Sequence, residues 1–311
     1  MTEVGDSLKR HYGRLRRTTE QTIHDFSETR KETVKEHFTD NAAYWDELYN
    51  EDFAVNRFYS HEIKSRKEVV FDLYEKNTNG KPIKAIDVGC GAGHYVSELK
   101  KRGVNIFGSD ISKKMIEVTK FNNTKEQLNT DKFLCADCQS LPFSDNSFDV
   151  VFCIGVLSYV SDELAIFKEL KRIVKKDGLI IFNVPNLLKL RNVLDPYYYI
   201  FKFWSYAGIK IKKLITGKEL VVKVLDASTM DAPQNRYSIK QILNFLSKAG
   251  LKSMDIKGYA YGPLRFWRKD ILPDVQAVKL SSGIEKLANL RLLRFINKFA
   301  VGWVFTSRVL N

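Results

Sequence analysis

With 311 residues, 44% of them apolar and 12% aromatic, the chain can bury a sizeable core as one enlarged domain or two small ones, which excludes a disordered or fibrous protein. Fifty Lys and Arg against 37 Asp and Glu give a net charge of +13, which suits nucleic acid, a membrane surface or an acidic substrate until the charge is located. Its four cysteines, Cys90, Cys135, Cys138 and Cys153, fall in one stretch and leave both long flanks without any. That usage fits a reducing compartment better than a disulfide-stapled secreted chain.

Residues 1–40 balance eight basic against eight acidic side chains, with Leu8, Tyr12, Leu15, Ile23, Phe26, Val34 and Phe38 spaced for a weakly amphipathic helix. Met1 to Arg17 is polar and basic, so no signal peptide is expected, and no apolar run is long enough for a transmembrane span. An aromatic-rich helical stretch from Tyr44 to Tyr74 follows and is broken by Asn77-Thr-Asn-Gly80-Lys-Pro82.

Beyond Pro82, short apolar runs alternate with amphipathic segments. Strands are predicted over Ile83–Val88, Val104–Ser109, Lys132–Cys135, Phe148–Ile154 and Leu179–Val184, and helices over Tyr95–Lys101, Lys113–Phe121 and Asp162–Val174. Strict alternation predicts right-handed crossovers and a doubly wound, mostly parallel sheet covered on both faces. A helix over Ser238–Lys248, a strand over Leu251–Ile256 and a final strand over Trp303–Leu310 complete the core, with an amphipathic helix expected at about 283–299. An aromatic and basic insertion occupies residues 187–235. Its Asp195-Pro196 start precedes a run from Tyr197 to Ile215 that is apolar around most of a helix, with Lys202, Ser205, Gly208 and Lys212 as a narrow polar stripe.

Ile86-Asp87-Val88-Gly89-Cys90-Gly91-Ala92-Gly93 places a glycine-rich turn between the first strand and its helix, where a ligand can approach the backbone and unpaired N–H groups. The spacing is not that of the dinucleotide fingerprint, because His94 stands where its third glycine would be, and no triphosphate-binding loop is present. Asp110 ends the second strand about twenty residues on, where a carboxylate can accept from both hydroxyls of a ribose. Asp137 ends the third strand beside Cys138; it can accept from an exocyclic amine or serve a turn. The pair Cys135-x-x-Cys138 has no second pair or histidine to complete a zinc site, so ordinary core cysteines are expected and no metal.

Taken together, Asp87 to Gly93, Gly108-Ser-Asp110-Ile-Ser, Ala136-Asp137, Leu141-Pro-Phe-Ser-Asp-Asn-Ser-Phe-Asp149 and Leu170 to Gly178 resemble a class I S-adenosylmethionine-dependent methyltransferase over residues 83–186. The resemblance implies a Rossmann-like, seven-stranded α/β domain over 81–311 with a helical cap over 1–80. It implies that Gly89, Gly91, Gly93 and Asp87 hold the methionine part of S-adenosylmethionine, Asp110 the ribose, Ile111 and Met115 the ribose or adenine, and Asp137 with Cys138 the adenine edge. Ile154, which ends the fourth strand on the same rim, is a further expected cofactor contact. Lys176-Asp177 departs from the commoner Pro-Gly before the fifth strand.

Phe38-Thr-Asp-Asn-Ala-Ala-Tyr44-Trp45-Asp-Glu-Leu-Tyr49 resembles the cap helix of methyltransferases acting on quinones, tetrapyrroles, lipids and glycans. That similarity implies Tyr44, Trp45 and Tyr59 closing over the cofactor and Arg66 reaching its carboxylate, with aromatic core packing as the other reading. The sulfonium already activates the methyl group, so the protein must chiefly place a nucleophile and exclude water. A base is needed for a protonated acceptor, and Tyr159, His94 and His61 are the candidates.

Residues 185–225 carry eight basic and two acidic side chains and residues 264–298 eight and three, so eleven of the thirteen excess charges lie in these two stretches. Lysines among Trp and Tyr over 196–215, and Lys286, Arg291, Arg294 and Lys298 beside Ile284, Leu287, Leu293, Ile296 and Phe299 over 283–299, suit a bilayer interface; a substrate lid or a homodimer contact is the other reading. The expectation is methyl transfer to an oxygen of a hydrophobic or membrane-associated small molecule, such as a lipid, quinone or lipid-linked sugar, by a cytoplasmic protein with peripheral membrane attachment. A tRNA methyltransferase is the alternative enzyme, although no RNA-binding module is recognisable. A non-catalytic cofactor-binding membrane scaffold is the other alternative.

Overall fold

The computed structural model describes residues 27–49, 57–78, 83–190, 195–200, 234–267 and 269–310. Helix α1 covers residues 27–40, α2 Ala42–Glu47 and α3 Arg57–Thr78. The domain continues with β1 (Lys84–Val88), α4 (His94–Lys101), β2 (Asn105–Asp110), α5 (Lys113–Lys125), β3 (Phe133–Cys135), β4 (Phe148–Cys153), α6 (Glu163–Ile173) and β5 (Val174–Pro185). After the insertion come α7 (Ile239–Ala249), β6 (Leu251–Tyr259), a short hairpin of β7 (Arg265–Phe266) and β8 (Lys269–Asp270), α8 (Asp274–Ala288), a 3₁₀ helix (Arg291–Phe299) and β9 (Gly302–Val309).

Seven strands form one sheet in the order β3-β2-β1-β4-β5-β9-β6, the first five parallel and β9 antiparallel to both neighbours. Burial on both faces explains the continuous apolar runs. In β4, Val150 and Phe152 join the layer under α3, α4 and α5, while Val151 and Cys153 join the layer under α6 and α7. The chain order reverses between β1 and β4, so the loops leaving these two strands diverge and open a crevice at the carboxyl rim.

Local signals place the helix starts. Ser112 Oγ accepts from Met115 N at α5, Asp162 Oδ1 from Ala165 N at α6, and Ser238 with Gln241 forms a capping box at α7, which Gly250 ends in the left-handed conformation. The single amphipathic helix expected at about 283–299 is instead two pieces. Extended Leu290 separates α8 from the 3₁₀ helix. Asn297 compensates for the break: its amide donates to Ala288 O (3.3 Å) and Arg294 O (3.1 Å), and its Oδ1 accepts from Gly258 N (3.0 Å). In the insertion, Asp195 Oδ1 accepts from Tyr197 N (3.0 Å) and residues 196–200 are helical; the remainder of the predicted helix lies outside the described residues.

Candidate active site

A cavity of about 870 Å³ occupies the crevice and runs beneath the cap. Asp87, Gly89, Gly91, Asp110, Ile111, Met115, Asp137, Cys138, Ile154, Tyr44 and Arg66 line it, as do His94 and Tyr159. Gly93 is set back as the N-cap of α4, against Thr119. His61 lies elsewhere: its Nε2 is 2.9 Å from Ser281 Oγ and 3.1 Å from Glu285, so it ties α3 to α8.

The turn after β1 is fixed by its own backbone. Gly89 N and Cys90 N both donate to Ser109 O (2.7 and 2.9 Å), drawing the turn across β2. Gly89 takes φ +75°, and a Cβ there would collide with Val156 Cγ2. At Gly91 (φ +54°) a Cβ would meet nothing within 4 Å, so the space there is cavity a ligand can fill. Thr119 Oγ1 donates to Gly91 O (2.6 Å) and Asp110 Oδ2 accepts from Gly91 N (2.9 Å), which holds the turn from below.

Asp110 spends its other oxygen on Ser112 N (2.9 Å); burial raises its pKa, and backbone hydrogen bonds only partly offset this. Asp87 is 1% exposed and its Oδ1 has no hydrogen-bond partner. Burial, with Asp110 nearby, pushes its pKa up to about 8. Across the cavity Arg66 donates to Tyr49 Oη (2.9 Å) from one nitrogen, while its buried Nε has no hydrogen-bond partner. An acid and a guanidinium, each with a buried atom to spare, fit the ammonium and carboxylate of an amino acid. Asp137 Oδ1 accepts from Gln139 N (2.9 Å), and its Oδ2 pairs with Lys31 of α1 at 3.0 Å.

The loop after β4 is buttressed from both sides. Arg30, 6% exposed, donates to Tyr159 O (3.1 Å), Ser158 O (3.4 Å) and Asn235 Oδ1 (3.0 Å). Asn235 donates to Val160 O (2.7 Å) and Glu163 (3.1 Å), and Tyr237 Oη to Leu157 O (2.6 Å) and Glu163 (2.9 Å). Gln234 donates to Tyr159 Oη (2.9 Å), and burial pushes the Tyr159 phenol up to about 12. At neutral pH it is a donor, not a base. His94 Nε2 sits 3.1 Å from Asp46, and its ring stacks on Tyr49 at 4.2 Å. Burial raises the Asp46 pKa, but His94 and Asn122 more than offset it, leaving the carboxyl below its ordinary value.

Sequence reasoning missed Arg30, Lys31, Glu62, Lys189, Asn235 and Arg236 as parts of this site. Arg30 and Lys31 sit in a charge-balanced helix with no local signal; Glu62, Lys189 and Arg236 line the cavity, while Asn235 braces the loop after β4 from behind. Cys135 is exposed, and among the described residues no group of His, Cys, Asp or Glu could hold a metal.

A family model described as "Methyltransferase domain" matches residues 86–182, which covers β1 through most of β5. Ubiquinone biosynthesis O-methyltransferase of Coxiella burnetii is 29% identical over 180 residues, 58% of this chain and 68% of that protein. Demethylmenaquinone methyltransferase of Oceanobacillus iheyensis is 29% identical over 181 residues, 57% and 73% of the two chains. Among solved structures, the magnesium protoporphyrin IX methyltransferase of Synechocystis with bound SAH superposes with a TM-score of 0.56 at 16% identity, over 91% of this chain and 100% of that one, a likeness of fold.

Proposed function

The chain is a class I S-adenosylmethionine-dependent methyltransferase, and from that premise we propose that its acceptor is a phenolic oxygen of a hydrophobic, quinone-type molecule reached at a membrane surface. The observation that carries this reading is that the cavity holding Asp87 and Asp110 is also lined by Phe38, Trp45, Tyr159, Tyr197 and Tyr198, with the Phe38 ring 4.9 Å from Tyr159 and 5.3 Å from Trp45. Flat aromatic walls suit a flat apolar acceptor. The quinone methyltransferases among its relatives support the same class.

When bound, S-adenosylmethionine supplies an electrophilic methyl group on a sulfonium. Asp87 and Arg66 would hold its amino acid end, Asp110 its ribose and Asp137 its adenine edge. Asp137 is also held by Lys31, so that contact ties the cap to the adenine end. The loop braced by Arg30 and Asn235 fixes the acceptor wall, and the aromatic chamber excludes water. Of the three candidate bases we assign the phenol proton to His94, which lines the cavity with its Nε2 3.1 Å from Asp46, a carboxylate that would stabilise the imidazolium.

Labelled cofactor incubated with alkyl catechols, tRNA and polar metabolites is expected to label the catechols at oxygen; label in tRNA would overturn the reading. His94→Asn is expected to lower kcat about 100-fold on a catechol at pH 7 with cofactor affinity retained. An unchanged kcat would remove His94 from the chemistry.

The membrane face is argued from the 3₁₀ helix. Leu292 is 91% and Phe295 58% exposed, in a segment that also carries Arg294 and Lys298, a pattern that suits an anionic interface. Among the described residues no helix is long and apolar enough to cross a membrane. Sedimentation with phosphatidylglycerol-containing vesicles is expected, with at least about a tenfold loss on Leu292→Asp with Phe295→Asp. Equal sedimentation of parent and variant would refute attachment through this face.

A further inference from the structure

The cofactor end of the cavity holds a third buried polar atom besides those of Asp87 and Arg66. Tyr95 lines the same cavity and is 4% exposed, and its Oη has no hydrogen-bond partner among the described residues. It is the second residue of α4, next to His94, where the chain leaves the glycine turn at Gly93. Its ring packs edge-on against Tyr49 (6.5 Å) and beside Phe71 (5.9 Å) in the apolar layer under α3, α4 and α5. These contacts belong to the ring alone, and phenylalanine would make them equally well. A hydroxyl buried there without a partner weakens the fold unless a ligand receives it.

The surroundings of this hydroxyl define the chemistry of that ligand. Arg66 and Asp87 both lie within electrostatic reach of Tyr95, so a guanidinium, a carboxyl and a phenol face one part of the cavity. Burial raises the pKa of the phenol and Arg66 offsets only part of this, so at neutral pH Tyr95 keeps its proton and offers a donor. Two other phenols around Arg66 are already engaged: Tyr49 Oη accepts from Arg66 (2.9 Å), and Tyr259 Oη accepts from Asn183 Nδ2 (3.0 Å). The amino acid end of the cofactor brings one ammonium, which needs an acceptor, and one carboxylate, which takes several donors. Asp87 supplies the acceptor, and Arg66 Nε and Tyr95 Oη the donors.

We propose that Tyr95 is a further cofactor-binding residue, its hydroxyl donating to the carboxylate of S-adenosylmethionine beside the Arg66 guanidinium. The proposal rests on the placement of the amino acid end between Asp87 and Arg66. Two donors on one carboxylate fix its orientation, which steadies the sulfonium carried by the same chain of atoms.

The test is calorimetric titration of the full chain at pH 7 with S-adenosylhomocysteine, with its decarboxylated analogue, which keeps the ammonium, and with methylthioadenosine, which lacks both charged groups. Tyr95→Phe is expected to bind S-adenosylhomocysteine at least about tenfold more weakly than the parent, and the other two ligands within about threefold of the parent. Without cofactor the variant should melt no lower than the parent, because the ring stays and an unpartnered hydroxyl goes. Undiminished affinity for S-adenosylhomocysteine would overturn the proposal. So would an equal loss on all three ligands with a lower melting temperature, which would make the hydroxyl structural. A loss shared by the decarboxylated analogue but not by methylthioadenosine would put the hydroxyl on the ammonium and overturn it as well. A parent that binds methylthioadenosine as tightly as S-adenosylhomocysteine would sink the placement of the amino acid end itself; a parent preference that survives in Tyr95→Phe would sink the assignment of Tyr95 alone.

Discussion

Asp87→Asn is expected to weaken cofactor binding about 100-fold or more while raising the melting temperature of the cofactor-free protein at pH 8. Asp87 is buried with Oδ1 unpartnered, and its pKa stands at about 8 against about 4 in an unfolded chain. Between those values the folded state holds a proton that the unfolded state lacks, so its contribution makes stability fall as pH rises from about 4 to about 8. Asparagine has no such titration. The variant should therefore melt several degrees higher than the parent at pH 8 and close to it at pH 4.

Cofactor affinity runs the opposite way, because an ammonium is held by the ionised carboxyl. Parent affinity should rise with pH up to about 8, with proton release on binding at pH 6.5 measurable by calorimetry in two buffers of different ionisation enthalpy. The variant should lose about 100-fold or more in affinity. A parent affinity that is flat between pH 6 and 8 would show that Asp87 does not face the ammonium.

Arg30→Met is the second substitution of large expected effect. Arg30 joins α1 to the loop after β4 and to Asn235 through Tyr159 O, Ser158 O and Asn235 Oδ1, and Glu163 lies within its field. Methionine keeps much of the packing volume but leaves buried acceptors without donors. The expected cost is about 2–4 kcal/mol, or roughly 5–10 °C in melting temperature. Turnover should fall further than stability if the loop carrying Tyr159 forms the acceptor wall as proposed: kcat/KM should drop about 100-fold with cofactor affinity within about threefold of the parent. A proportional loss in cofactor affinity would show that Arg30 acts on the whole crevice and not on the acceptor side.

Much of this architecture was legible because it is written in short-range patterns. The five parallel strands are apolar runs of strand length with turn chemistry between them, and Ser112, Asp162 and Ser238 announce helix starts within four residues. The glycine turn and the acids ending β1, β2 and β3 were recognisable because a ligand at a strand end needs those residue types at those offsets. The C-terminal segment was misread for the opposite reason. Its apolar spacing is helical, but Asn297 reaches Gly258 of β6 while capping Ala288 and Arg294, and a contact of that range leaves no periodic trace. His61 likewise reads as a cap histidine near the cavity, whereas Ser281 and Glu285, more than 200 residues away in sequence, claim its ring.

The sequence by itself determined the sheet, the cofactor rim and the location of the excess charge, because each follows from neighbours within about twenty residues. Only the tertiary structure brought together the residues of the proposed acceptor wall. Arg30 of α1 and Asn235, 205 residues apart, are both buried and brace the loop after β4 together, and contacts of that range leave no trace in local sequence.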